Sequence, residues 1–217
     1  MPMITEPMKV LIACEYSGVE RDAFIAAGHD AVSCDLLPTE RPGPHYQGNV
    51  LDLRAEPWDL VVAHPPCTYL ANSGVRWLYS NPTRWQDMLE GADFFRAMFT
   101  FNSPRIAVEN PVQHKWAKLA HGMGEPSQTV QPWQFGHTET KRTCYWLRGL
   151  SPLVGTDDVK AEMDALPKSV SHRVHYAAPG ADRWKLRSTS YEGIAAAMAD
   201  QWGAAGIIQE VAPLRGA

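Results

Sequence analysis

Short apolar runs of strand length alternate with helical stretches through the first half of the chain, and this alternation restricts the fold more than any other feature. Residues 9–14 (KVLIAC), 30–35 (DAVSCD), 58–63 (WDLVVA) and 105–109 (RIAVE) each read as a buried strand. Between the first two lies 20–27 (ERDAFIAA), a short amphipathic helix followed by Gly28, the residue type that closes helices. A longer helical stretch, 81–101, opens with Asn81-Pro82, a cap followed by a first-turn proline. Strands alternating with helices predict an α/β fold with a doubly wound, mostly parallel sheet. Ligands of such sheets bind beyond the carboxyl ends of the strands, where Cys14, Asp35, His64 and Glu109 all fall.

After Pro111 the pattern changes. Residues 128–135 and 141–147 read as two strands joined by the hairpin-sized loop 136–140, which adds an antiparallel hairpin at one edge of the sheet. Residues 150–190 have weak periodicity and prolines at 152, 167 and 179, the marks of a loop-rich insert, and 191–203 is an alanine-rich helix. At 217 residues and 45% hydrophobic content the chain can bury one substantial core. The expected organisation is a disordered leader over 1–8 and a single domain over 9–217.

A formal charge of −4 excludes the broad basic surface of a tight non-specific DNA binder, so any nucleic-acid contact must be local. Cys14, Cys34, Cys67 and Cys144 are widely separated, without the spacing of a zinc site or the density of a disulfide scaffold. His172 and His175 with Cys144 lack a fourth ligand, so no metal is expected. Neither a signal-peptide core nor a run of roughly 20 apolar residues is present, which predicts a cytoplasmic protein without a membrane partner.

Pro65-Pro66-Cys67 follows a buried strand directly. Two prolines make the turn rigid, and a thiol held there at a strand end is placed as a nucleophile is. Downstream stand Glu109-Asn110-Pro111, then Gln134-Phe135-Gly136 leading to Lys141-Arg142-Thr143. In order and element, these motifs resemble the cytosine-5 DNA methyltransferases, with their Pro-Cys after the fourth strand, Glu-Asn after the fifth and basic motif in the next hairpin.

The resemblance implies a Rossmann-like methyltransferase sheet, S-adenosyl-L-methionine as cofactor and DNA as partner. Cys67 would add to carbon 6 of cytosine, and Glu109 would hold ring nitrogen 3, a role that calls for a raised pKa. Lys141 and Arg142 would bind the base oxygen or a phosphate and lower the thiol pKa. Pro66, Asn110 and Thr143 would line the substrate side. For the cofactor it implies Glu15, Tyr16, Ser17 and Gly18 after the first strand, with Asp35 on the ribose, Asn49 or alternatively Asp52 near the adenine, Pro65 beside the cofactor and Tyr191 closing over it. The first loop departs from the family's Phe-x-Gly-x-Gly and keeps only Gly18. Amino-nitrogen methyltransferases follow Pro-Pro with an aromatic residue, whereas Cys67 stands here and Tyr69 comes two positions late, which favours carbon as the acceptor. The absence of GxGxxG argues against a nicotinamide enzyme.

The family carries a large target-recognition domain where this chain has only 150–190, so the resemblance is to a minimal, phage-like form. Within that insert, 168–187 holds Lys168, Arg173, Arg183, Lys185 and Arg187 against Asp182, beside Tyr176 and Trp184, and Arg183 and Lys185 are its expected DNA contacts. Three functions remain open at this level. They are carbon-5 methylation of cytosine in duplex or single-stranded DNA, carbon-5 modification of a free pyrimidine nucleotide such as dCMP, and a non-catalytic cofactor- or DNA-binding relative.

Overall fold

In the structure, a computed structural model describing residues 6–178, 180, 183–188 and 190–204, the apolar runs pair into one seven-stranded sheet. The strands are β1 (Lys9–Ala13), β2 (Asp30–Asp35), β3 (His45–Gln47), β4 (Leu60–Ala63), β5 (Ile106–Pro111), β6 (Gln128–Val130) and β7 (Thr143–Arg148), in the order β3-β2-β1-β4-β5-β7-β6. The first five are parallel, and β7 runs antiparallel to both β5 and β6. This is the mostly parallel, Rossmann-like sheet with an antiparallel hairpin at one edge. The order reverses between β1 and β4, so the connections leaving those strands diverge and open a crevice at their carboxyl ends.

Alternation along each strand sends side chains to two cores. Leu11, Ala13, Val61, Ala63, Ile106 and Val108 face α2 (Arg84–Ala97) and α3 (Lys115–His121). On the opposite face Val10, Ile12, Leu60, Val62 and Ala107 meet Phe24 of α1 (Val19–Ala26) and Met198 and Trp202 of α8 (Glu192–Gly203). Both faces being covered is why these strands read as continuous apolar runs.

Four features differ from the sequence expectation. The edge strand β3 is three partly exposed residues with no apolar signature. The strand expected over 128–135 stops at Val130, because a 3-10 turn follows in which the Gln134 side chain accepts the Gln131 N–H. The insert holds short helices, α4 (Lys160–Ala165), α5 (Lys168–Ser171), α6 (Arg173–Tyr176) and α7 (Arg183–Ser188), too brief for a periodic pattern to show. Met8, expected in the leader, is buried, and its N–H donates to His29 Nδ1 at 3.3 Å. Residues 1–5 of that leader, Pro179 and Asp182 of the insert, and the domain's end at 205–217 lie outside the described residues. Among the described residues no helix is long and apolar enough to cross a membrane.

The first turn of α8 docks without clearance. The Gly193 N–H donates to His137 Nε2 at 2.9 Å, and a Cβ at Gly193 would lie 2.0 Å from the Phe135 carbonyl oxygen. Backbone cannot yield as a side-chain tip can, so Gly193→Ala is expected to cost about 1–3 kcal/mol of unfolding free energy. Urea denaturation checks this, and an unchanged midpoint contradicts the close packing.

Candidate active site

His64 continues β4 by one residue, its N–H donating to the Ala13 carbonyl at 2.9 Å. Its ring sits between two carboxylates from different elements: Nε2 is 2.7 Å from Oε2 of Glu20 in the first turn of α1, and Nδ1 is 3.2 Å from Oε2 of Glu109 on β5. A neutral imidazole has only one N–H, so satisfying both contacts requires the doubly protonated ring. Burial disfavours that charge, but the charge of Glu20 and the hydrogen bonds to both carboxylates prevail and raise the pKa to about 10. Glu20 is itself buried, which opposes its ionisation, yet the His64 charge and a 2.7 Å hydrogen bond from Ser190 Oγ hold its pKa below the usual value. A cavity opens over this ion triad, lined also by Lys141, Thr143, Tyr145 and Tyr191. The sequence placed His64 at a strand end and assigned it no role, and Glu20 passed as an ordinary helix residue. The one available signal was a histidine directly before Pro65-Pro66.

Beyond His64 the chain turns sharply. Pro65 and Pro66 have no N–H to donate and fixed φ, and the turn closes where the Leu70 and Ala71 N–H groups donate to the Cys67 carbonyl at 3.0 and 2.9 Å. The carbonyls of Pro65, Thr68, Tyr69 and Leu70 are also held. The fully buried Asn110 donates its amide to Pro65 O at 2.9 Å, Arg84 donates to Thr68 O at 2.7 Å, and His114 donates from Nε2 to Tyr69 O and from its backbone N–H to Leu70 O. The Asn110 side chain is thereby committed to the loop rather than turned toward a substrate. Pro66 is exposed and Cys67 half-buried.

The thiol of Cys67 does not match one expectation. Burial first, and the charge of Glu109 second, push its pKa above the ordinary thiol value, and the Lys141 and Arg187 charges reduce that rise without reversing it. Arg142 does not join Lys141 at the cavity. Alternation along β7 puts Thr143 and Tyr145 on the cavity side, and Lys141 before the strand lines the same cavity, while Arg142 is exposed and its charge acts on Cys144, which packs in the other core. Thr143 Oγ1 donates to the Lys141 carbonyl.

On the cofactor side, the residue after β1 is Cys14, whose φ of 59° is left-handed and strained for a residue with a side chain. Ser17 Oγ and the Val19 N–H both donate to Glu15 Oε1, but Glu15 Oε2 is buried with no hydrogen-bond partner. Gly18 caps α1, and its missing side chain is explained internally, since a Cβ there would lie 2.5 Å from the buried Arg21 guanidinium. Asp35 closes β2 with Oδ1 accepting the Leu37 N–H, and Asn49 accepts the Leu51 N–H. Tyr191 hydrogen-bonds Glu139 and lines the His64 cavity. In the insert, α7 lies over the first loop: Trp184 packs on Tyr16 at 5.5 Å, Tyr16 and Ser188 share a hydrogen bond, and Lys185 pairs with Glu40 at 3.8 Å. Arg183 donates to the Ala177 carbonyl.

The triad links stability to pH. Folded, His64 keeps its proton to about pH 10, whereas the unfolded value is 6.5. Its contribution is therefore complete below pH 6.5, declines as pH rises through that window and is gone above about pH 10. Unfolding free energy measured from pH 7 to 10 should fall more steeply in the wild type than in His64→Gln. Parallel slopes would mean that the ring is not a buried cation.

No protein-family model matches the chain, and no curated protein matches it.

Proposed function

We propose that this chain is an S-adenosylmethionine-dependent methyltransferase acting on carbon 5 of cytosine in DNA, with Cys67 as the attacking nucleophile. The observation that carries the reading is the Asn110-to-Pro65 hydrogen bond. It joins the Pro-Pro-Cys turn to the Glu109-Asn110 strand end, so that thiol, carboxylate and Lys141 converge above the switch in strand order. A structural cysteine needs no such support for the carbonyls of five of the six residues from 65 to 70.

The residues present fit the cofactor. Glu15 offers a buried carboxylate oxygen without a partner, suited to the ammonium group of the methionine part, and Asp35 stands at the end of the neighbouring strand for ribose hydroxyls. When bound, S-adenosylmethionine supplies an electrophilic methyl group. The protein's task is to make an aromatic carbon nucleophilic. The Cys67 sulfur bonds to ring carbon 6 after giving up its proton, and the displaced electron pair moves toward carbon 5 and ring nitrogen 3. Glu109 holds nitrogen 3, and the His64 cation at 3.2 Å fixes that carboxyl and balances charge as protons move. Carbon 5 would use that electron pair to take the methyl group, with the cofactor's thioether as leaving group; loss of the carbon-5 proton to solvent then expels the Cys67 sulfur as thiolate and restores the ring. Lys141, on the cavity wall, stabilises negative charge at the base oxygen.

A thiol held protonated at rest gives the reaction a signature: turnover rises with pH above neutrality as the thiolate fraction grows. Cys67→Ala is expected to lower transfer of methyl label into DNA by at least 10³-fold while S-adenosylmethionine binding, measured by calorimetry, stays within about twofold. Robust labelling by that variant excludes the mechanism. Label entering dCMP but not an oligonucleotide would move the substrate to the free nucleotide, and no label in either with retained binding would leave a non-catalytic relative.

A further inference from the structure

Charge in this acidic chain is unevenly placed. Residues 64–86 and 110–124 contain Arg76, Arg84, Lys115 and Lys118 and no aspartate or glutamate, although the whole chain carries a net −4. These two stretches lie far apart in sequence, and the fold sews them together. The Asn72 N–H donates to Val112 O at 2.8 Å, the His114 N–H to Leu70 O at 3.1 Å, and Ala71 bridges Gln113. The result is one face, beginning at the Cys67 turn, whose two segments carry no carboxylate of their own; the next residue in the chain, Glu125, pairs with Lys118.

Aromatic rings cover that face, and Tyr69, Trp77 and Trp116 each have a cation over the ring. The Arg84 guanidinium lies 4.4 Å from the Tyr69 ring and donates to Thr68, the residue after Cys67. Next to it Trp85 packs edge-on to Tyr79 at 6.1 Å and Trp116 at 5.8 Å, and Trp116 Nε1 donates to the Tyr79 hydroxyl. Lys115 sits 4.5 Å from the Trp116 ring. Tyr79 is 69% exposed, an unusual surplus of apolar ring on a surface that no other described element covers.

We infer that this face holds single-stranded DNA, stacking the bases that flank the target cytosine on Tyr79 and Trp116 while Arg76 and Lys115 neutralise phosphates. The inference rests on the proposed DNA substrate and specifies its form. Ring faces paired with cations suit unstacked bases on a charged backbone, and such stacking tolerates any sequence. In a duplex those base faces are already stacked on one another. The helix α7, the other basic element, is less suited, because Trp184 is turned onto Tyr16 and Lys185 onto Glu40.

The test is fluorescence anisotropy of a labelled oligodeoxycytidylate of about a dozen nucleotides, and of its duplex, with the full chain and no cofactor. Single-strand binding should exceed duplex binding. Trp116→Ala and Tyr79→Ala should each weaken it roughly fivefold to a hundredfold, and Trp116→Phe should restore most of the loss because a ring remains. Lys115→Ala should reduce the slope of log affinity against log salt by about 0.7. Circular dichroism melts separate loss of the surface from loss of the fold, and equal rescue by Trp116→Leu would point to packing alone and overturn the inference. Tighter duplex binding, unchanged binding by both alanine variants, or loss confined to Arg183→Ala and Lys185→Ala would also overturn it. Because no methyl transfer is measured, binding without turnover leaves this surface standing while the proposed chemistry fails.

Discussion

A doubly protonated histidine held between two carboxylates organises the centre of this protein. His64, Glu20 and Glu109 come from β4, α1 and β5, and Ser190 ties the start of α8 to the same cluster through Glu20. Four elements therefore meet at one charged point inside a low-dielectric crevice, where breaking a single partnership leaves another charge uncompensated. Such a cluster is weak evidence for added stability against an apolar substitute. Its value lies in fixing directions: it aims the Glu109 carboxyl and sets where the first helix approaches the sheet.

Around that point the backbone is held just as firmly. The turn after β4 carries Cys67, the proposed nucleophile, and its carbonyls at 65, 67, 68, 69 and 70 are all hydrogen-bonded, most of them by residues that follow β5 or open α2. Rigid support of this kind keeps a reacting atom within a fraction of an ångström of its productive position. The thiol itself is not activated at rest, because burial and Glu109 outweigh Lys141 and Arg187. A neutral thiol resists adventitious oxidation and alkylation, and cation contacts made by a bound substrate, or the proton demand of the adding ring, would have to favour the thiolate during reaction.

The architecture was legible in the sequence where it depended on local pattern. Residues 9–14, 30–35, 58–63 and 105–109 announced themselves because strands covered on both faces are apolar throughout, and the Pro-Pro-Cys turn was visible because proline fixes geometry without neighbours. His45–Gln47 was not, being a polar edge strand that exists only by pairing with β2. The same limit hid the ion triad, since Glu20 and His64 stand 44 residues apart and nothing short-range signals that they meet. Lys141 and Arg142 show the converse failure. Adjacent in sequence just before β7, they read as one basic motif, yet Lys141 lines the cavity while Arg142 is exposed and acts on Cys144. The carboxylate-free stretches were present as composition all along, but only the pairing of Asn72 with Val112 makes them a single surface.

The central claim is that Cys67 bonds to the cytosine ring, and the most direct measurement is to trap that bond. An oligonucleotide carrying 5-fluorocytosine, incubated with the protein and S-adenosylmethionine, cannot lose a proton from carbon 5, so the sulfur cannot be expelled and the adduct persists. The account predicts a complex that survives denaturation, with the nucleotide's mass on the peptide containing Cys67. A complex attached to Cys14, Cys34 or Cys144, or none under conditions where label enters unmodified cytosine, would contradict it.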